Sequence, residues 1–299
     1  MAIHTHPYRG EDDYAAMRRL LVENLARCGP PVYATLGNID WWRVADDDPR
    51  SVYSAQLWFD GPRCVAFAWP TGDQVDIVVH PDDPALHDAA LAWAETHFRA
   101  ADETAAFRAW AFTGDAVRIA ALSARGFQRT ESGLVAFGRA TDGAAPPSLP
   151  PGYTLRHVRG AEESEARAAV QRAAFESEWM TAERHARVLA SPTYRPELDL
   201  VVEAPDGQLA GFALLWLDEA NQLGVFEPLG VAVAYQRRGL GRALMLEGLR
   251  RLQQFGATYA VVETGLTYEA RGLYEATGFA VLDVNYAWAA PGAAREGRP

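Results

Sequence analysis

Apolar residues recur along the chain in two rhythms, every second position and every third or fourth, and the succession is played twice. In the second half, residues 153–158 alternate as a strand does. Residues 162–175 have helical composition with acidic residues in the first turn. Residues 181–189 predict a short second helix, ended by Pro192. Residues 198–203 and 208–217 are β-rich runs joined by Ala204-Pro-Asp-Gly207, a hairpin signal. Residues 225–233 predict the next strand. Residues 239–255 set Leu240, Leu244, Leu249 and Leu252 at helical spacing and close on Gly256. A strand over 259–263, a helix over 269–277 with Gly278 at its end, and strands over 279–284 and 286–288 complete the half.

The first half follows the same order. It predicts a helix over 12–26, strands over 55–59 and 63–69 flanking an Asp-Gly-Pro turn, and a strand over 75–79. A helix over 84–100, a strand over 106–112 and a helix over 115–124 follow, with strands over 127–130 and 134–138 at the end. Ser123-Ala-Arg-Gly-Phe127 echoes Glu275-Ala-Thr-Gly-Phe279, at a spacing that means a duplicated domain and not a solenoid. Between the halves, Ala140 to Gly152 has four prolines and no apolar period, the composition of a stiff linker. The expected division is therefore 1–140, a linker at 141–152, 153–290, and a frayed tail at 291–299.

Composition removes several chemistries. All 28 basic side chains among 299 residues are arginine, set against 39 carboxylates for a formal charge of −11. A Schiff-base lysine, a pyridoxal-phosphate anchor and a Walker-type loop are thereby excluded. The acidic balance argues against a nucleic-acid coat or a membrane-surface protein. The 49% apolar and 22% charged content is that of a soluble globular chain, with no run of about 20 apolar residues. The start of the sequence lacks the basic and apolar regions of a signal peptide, so a cytoplasmic location is expected. Two cysteines, Cys28 and Cys64, make neither a disulfide framework nor a four-ligand zinc site, and His4, His6, His80, His87 and His97 show no metal spacing. No metal is expected. Tyr33 and Trp41-Trp42 fall in a Pro/Gly-bordered loop, where they either line a cleft or anchor the core, and Trp179-Met180 sits between two predicted helices.

The most informative segment is Gly230-Val-Ala-Val-Ala-Tyr-Gln-Arg-Arg-Gly-Leu-Gly-Arg-Ala-Leu244. A β-rich run enters a glycine loop that opens directly into an amphipathic helix. Glycines let backbone approach a bulky anion, and the unpaired N–H groups of a first helical turn point outward toward it. Gly-x-Gly alone would be an ordinary turn; Arg237, Arg238 and Arg242 around it make an anion cradle sized for a pyrophosphate. A dinucleotide-binding turn would need glycine where Leu244 stands.

Gln236-Arg237-Arg238-Gly239-Leu240-Gly241 resembles the acetyl-CoA loop of the GNAT superfamily of N-acetyltransferases, [Gln/Arg]-x-x-Gly-x-[Gly/Ala]. Ala270-Arg-Gly-Leu-Tyr-Glu-Ala-Thr-Gly-Phe279 is similar to that superfamily's later A-x-x-L-Y-E-x-x-G-F segment. The resemblance implies a tandem α/β protein (α+β by some schemes) of two GNAT-like domains, each a mixed, mostly antiparallel sheet flanked by helices. It implies that Val231 and Val233 offer backbone groups to the pantetheine arm of acetyl-CoA. The loop residues Gln236, Arg237, Arg238, Gly239, Leu240, Gly241 and Arg242 would hold the pyrophosphate, and Tyr274 would protonate the departing thiolate. Thr267 stands where the superfamily often has an asparagine on the pantetheine arm; it either contacts that arm or caps the Tyr274 helix. Glu227 is the candidate base, placed by two-residue counting on one face with Leu229, Val231 and Val233. Glu263 is the second candidate, with structural pairing as its expected role.

In the first half the matching place reads Val78-Val-His-Pro-Asp-Asp-Pro-Ala-Leu-His87, without the loop and with two carboxylates at the helix start. The Leu-Tyr position is Ala121-Leu122. That half is expected to be structural or substrate-shaping. The expected function is acetyl-CoA-dependent N-acetyl transfer to a primary amine, small molecule or peptide, by a monomer or homodimer that engages neither nucleic acid nor membrane. The alternatives are a specialised tandem acyltransferase resembling mycothiol synthase, and an acetyl-CoA-binding sensor or scaffold without turnover.

Overall fold

The computed structural model of the chain describes residues 3–45, 54–101, 107–267 and 270–292. Its first part runs β1 (Ile3–Pro7), α1 (Glu11–Cys28), α2 (Leu36–Ala45), β2 (Gln56–Asp60), β3 (Arg63–Thr71), β4 (Gln74–Val79), α3 (Leu86–Ala101), β5 (Arg108–Phe112), α4 (Ala116–Ala124) and β6 (Gln128–Ala140). Its second part runs β7 (Thr154–His157), α5 (Ser164–Phe175), α6 (Ala182–Leu189), β8 (Asp199–Glu203), β9 (Leu209–Asp218), β10 (Leu223–Val231), α7 (Leu240–Gln254), β11 (Tyr259–Gly265), α8 (Ala270–Ala276) and β12 (Ala280–Ala289). The mixed α/β class agrees with expectation. The expected helix start at Glu269, the expected strand start at Ala106 and most of the expected tail lie outside the described residues.

Two units divide the chain. The first holds Met1–Thr35, Asp48–Ala136 and Leu282–Pro299; the second holds Leu36–Asp47 and Phe137–Val281. Each unit thus takes a segment from the other half of the sequence, which a single cut at the proline-rich stretch does not describe. The start of that stretch is itself anchored, since buried Thr141 donates its hydroxyl to the Ala257 carbonyl at 2.7 Å.

In the first unit, β1 to β4 pair antiparallel in sequence order, and β4 meets β5 in parallel only at Gln74–Val75 with Arg108–Ala109. Beyond Val75 and Ala109 the two strands part and a recess begins. Helix α3 turns Leu86, Ala90, Leu91, Ala94 and Phe98 onto Trp58, Val65 and Ile77, the three-to-four spacing of an amphipathic helix on a sheet. The last five residues of β12 pair antiparallel with β5. Polar Asp283 and Asn285 break the apolar pattern that predicted two short strands. The ladder nonetheless runs through them, with Thr113 N–H on the Val284 carbonyl and Asn285 opposite Phe112.

In the second unit, β7 to β10 pair antiparallel and β10 pairs in parallel with β11, giving the expected mixed, mostly antiparallel sheet. Helix α7 covers one face. Its Gly248 admits the Phe226 ring, and Gly224 of β10 admits Leu252; a Cβ at either glycine would collide with the side chain opposite. Helices α5 and α2 cover the other face, with Gly230 against Ala174 and Gly37 against the Trp216 indole. The buried ion pair Arg167–Asp199, at 2.9 Å, ties α5 to β8. His185 of α6 meets the second Asp199 oxygen at 3.1 Å and Ser164 at 3.0 Å.

Helix α2 is a correction to the loop expected around Trp41-Trp42. Its glycine, asparagine and aspartate depress helix propensity, and tertiary contacts outweigh them. Ile39 is fully buried, Asp40 accepts the backbone N–H and hydroxyl of Thr193, and Arg187 donates to the Val44 carbonyl at 2.9 Å.

Candidate active site

The site begins where β10 and β11 part. Their parallel pairing runs from Leu223 opposite Tyr259 to Phe226 opposite Val262, and β10 continues from Leu229 to Val231 paired with β9. The cause is a register shift between Phe226 and Leu229, where β10 holds one residue more than β9 opposite it. That residue also changes the faces. Phe226 packs on Gly248 of α7, and Val231 lies beside Gly241 of the same helix, whereas Gly230 faces α5. Phe226 and Val231 are five positions apart, so strict alternation would oppose them. The expectation that Glu227 shares a face with Leu229 and Val231 by simple counting is therefore corrected. Glu227 instead reaches α2, where Asn38 donates Nδ2 to its Oε2 at 2.7 Å, and its backbone carbonyl accepts the Trp216 indole N–H at 2.6 Å.

Three titratable groups meet electrostatically at this opening. Glu263, in β11, is pushed up to about 8 by burial and then by the Glu227 charge. Burial also raises Glu227, and the Asn38 amide opposes that rise. Tyr274, in α8, is pushed up to about 12 by burial and by Glu227. Both glutamates keep solvent access while protein crowds them, as on the wall of a recess. The Asn38 donor favours the ionised form of Glu227, while burial, and after it the Glu227 charge, favours the protonated form of Glu263. Among the described residues Glu263 makes no ion pair, which corrects its expected pairing role. The Tyr274 ring is buried against Phe137, at 5.5 Å between centroids, and no described residue hydrogen-bonds its hydroxyl.

The glycine loop lies at the start of α7. Gly239 precedes the helix in the left-handed region at φ 80°, with no atom within 4 Å of where a Cβ would stand and no side-chain cap on the first-turn amides. Gly241 faces Leu273 and Val231. Arg237 holds φ 61°, a strained conformation for a residue with a side chain. Arg237, Arg238 and Arg242 are exposed, and Arg238 is steadied by the Tyr153 hydroxyl at 2.7 Å and the Ala234 carbonyl at 3.1 Å. Open backbone, unused amides, the helix dipole and three arginines fit a pyrophosphate.

Two expected cofactor positions differ from their description. Strand β10 ends at Val231, and Val233 begins a 3₁₀ turn, Val233–Tyr235, where its carbonyl accepts the Gln236 N–H. Val233 thus does not extend the strand edge. The Val231 carbonyl does lie at that edge, where the Gln236 side-chain amide donates to it at 3.2 Å. Thr267 is exposed in the turn ahead of α8, and the position that would cap that helix lies outside the described residues. Trp179 is 40% exposed, 5.7 Å from the Trp41 ring, with the Arg184 guanidinium 4.8 Å from its own ring. Asn38 and Trp41 arrive on a helix from the other half of the sequence, where the sequence singles out only Trp41-Trp42, as residues that either line a cleft or anchor the core.

In the first unit the turn after β4 bears Asp82 and Asp83 in place of the loop, with Arg27 donating to Asp82 at 3.3 Å. Leu122, at the position matching Tyr274, is fully buried in the core.

Residues 165–279 match the Acetyltransferase (GNAT) family. The chain is 33% identical over 235 residues to a mycothiol acetyltransferase of Kineococcus radiotolerans, covering 73% of this chain and 75% of the relative. It is 35% identical over 238 residues to a mycothiol acetyltransferase of Frankia alni, covering 72% and 70%. In fold it is similar to a tandem GNAT protein from the clavulanic acid biosynthesis pathway, with a TM-score of 0.70 at 16% identity over 99% of this chain and all of that one.

Proposed function

Since the chain belongs to the GNAT acetyltransferase family and is an N-acetyltransferase, we propose that its second unit moves an acetyl group from acetyl-CoA directly onto a primary amine of a small molecule. The observation that carries the proposal is the convergence of Glu227, Glu263 and Tyr274 at the parting of β10 and β11, beside a loop fit for pyrophosphate. Bound acetyl-CoA supplies an activated acetyl thioester. The amides of residues 238–242 and the neighbouring arginines hold its phosphates, and the Val231 carbonyl exchanges the Gln236 amide for the pantetheine arm.

Ionised Glu227 takes a proton from the acceptor's ammonium, directly or through water, and frees the nitrogen lone pair. The nitrogen attacks the thioester carbon, the C–N bond forms and the C–S bond breaks. Tyr274 gives its phenolic proton to the sulfur, the nitrogen sheds its second proton through water to the Tyr274 oxygen as the amide forms, and Glu227 releases the first to solvent. Burial keeps the Tyr274 phenol protonated over the working range, as a proton donor must be. The acidic pair suits a cationic amine, and Trp41 with Trp179 supplies an apolar platform beyond it. Similarity to mycothiol acetyltransferases favours a mycothiol-type acceptor over a peptide N-terminus.

Thiol release from acetyl-CoA across a panel of amines tests the proposal. Tyr274→Phe is expected to bind acetyl-CoA normally and lose roughly 10²-fold in kcat. Gly239→Asp is expected to lose binding itself, through backbone strain and repulsion of phosphate. Binding without release in the unaltered chain, or release indifferent to Tyr274→Phe, would mark a sensor and not an enzyme.

A further inference from the structure

A cavity of about 460 Å³ lies wholly in the first unit, at the recess where β4 and β5 part. Its walls are chiefly apolar, with Leu21 of α1, Val32 and Pro31 of the following loop, Val78 and Val79 of β4, and Phe112 of β5. A mostly apolar pocket of several hundred Å³ is the usual form of a small-molecule site.

The polar groups in the wall define what it can hold: the charged side chains bond to the protein, and Asn24 Oδ1 is buried there without a described partner. Arg118, 4% exposed, donates to the carbonyls of Ile77 at 2.7 Å and Trp110 at 3.2 Å, and its guanidinium lies 3.4 Å from the centre of the Tyr33 ring. Asp115 accepts the Arg118 backbone N–H at 2.9 Å and the Tyr33 hydroxyl at 2.8 Å. Asp283 accepts the Gly114 N–H at 3.0 Å and the Thr113 hydroxyl. His87 receives the Arg118 Nε–H at 3.4 Å, and burial beside that guanidinium keeps the imidazole neutral. Each charged side chain of the wall is thus bonded within the protein, Arg118 to carbonyls and Asp115 and Asp283 to N–H and hydroxyl donors.

Acetyl-CoA is a poor occupant on the same grounds. The turn at the mouth carries Asp82 and Asp83 where an anion would need amides and arginines. The Val79 carbonyl, at the strand end nearest the recess, is taken by the Asn24 side-chain amide at 3.0 Å. The first unit has thus kept the opening between parallel strands while losing the means to hold a nucleotide.

We infer that this cavity is a second ligand site, for an uncharged, mostly apolar small molecule, separate from acetyl transfer. Cys28 lines it and is exposed, while Cys64 is buried with its thiol pushed up to about 12, so the native chain carries one reactive thiol as a reporter.

The test uses the neutral apolar dye N-phenyl-1-naphthylamine and the full chain. Fluorescence titration is expected to show saturable binding at one site. Val32→Trp, which fills the cavity from its loop, is expected to weaken that binding about tenfold or more. Saturating dye is expected to slow maleimide labelling of Cys28 in the unaltered chain, a readout that needs no substitution. In a Gly239→Asp background, acetyl-CoA is expected not to displace the dye. Dye binding indifferent to Val32→Trp, or Cys28 labelling indifferent to dye, would overturn the site; displacement by acetyl-CoA in that background would overturn the ligand class.

Discussion

Asn38 and Glu227 are separated by 189 positions and joined by one hydrogen bond of 2.7 Å. A donor to a carboxylate favours the ionised form, so this amide opposes the rise that burial imposes on Glu227. Asn38→Ala removes the donor, and the Glu227 carboxyl should then titrate higher. With Glu227 as the proposed base, activity falls as pH drops through its titration. The acid limb of kcat/KM for acetyl transfer should therefore move to higher pH in Asn38→Ala, and an unmoved limb would show that the bond has no bearing on the base. Legibility at this scale followed locality. Gln236 to Arg242 were recognisable because a strand, a glycine loop and a helix start are contiguous in the chain. Asn38 was not, since nothing in Leu-Gly-Asn-Ile-Asp announces a partner in the other half. Glu227 was put forward on its residue type and neighbourhood, and on a face count that the extra residue in β10 invalidates.

At the scale of elements, what holds the site is the attachment of α2, α5 and α6 to one face of the second sheet. Helical composition with an acidic first turn located α5, and a short helical run closed by Pro192 located α6. Helix α2 escaped because its propensity is poor and its stability comes from Trp216, Thr193 and Arg187, all distant in sequence. The strongest fastening is the Arg167–Asp199 pair with His185, Tyr194 and Gln171 around it, all but Tyr194 below a tenth exposed. Burying an ion pair is costly, yet breaking one is costlier, since it strands a charge in the core. Arg167→Met should destabilise the chain by about 3–5 kcal/mol in denaturant unfolding. Asp199, held below the usual carboxylate range by the arginine against the opposing effect of burial, contributes stability that is present above the unfolded carboxylate pKa and lost as pH falls through its lowered folded value. The loss in Arg167→Met should accordingly shrink in acid; a loss that stays constant with pH would assign it to packing alone.

For the whole molecule, the duplicated order of elements was legible, because each half repeats the same sequence of strand and helix periods. The exchange of segments between units was not. Residues 36–47 and 282–299 belong by contact to the unit opposite their place in the sequence, and linear periodicity contains no term for that. The two openings between parallel strands have diverged: one gathers glutamates, a tyrosine and arginines, the other closes its charges on itself around an apolar space. The acidic site leaves a mark on global stability. Glu263 rises from about 4.5 to about 8 on folding, so between those values the folded chain binds more protons than the unfolded one, and stability falls as pH rises. Glu263→Gln should flatten the decline in Tm from pH 5 to 8, and an unchanged slope would mean that Glu263 is not forced to share a recess with a second carboxylate.

The central claim is that Glu227 is the base of an acetyl transfer in the second unit. Its most direct test is the pH dependence of kcat/KM, read as thiol release from acetyl-CoA with a saturating amine, for the unaltered chain and Glu227→Gln. The account predicts a rate that rises with pH through an elevated carboxyl titration in the unaltered chain. It predicts a loss of roughly 10²–10⁴-fold, together with disappearance of that limb, in Glu227→Gln. A Glu227→Gln enzyme that keeps both the rate and the limb would contradict it.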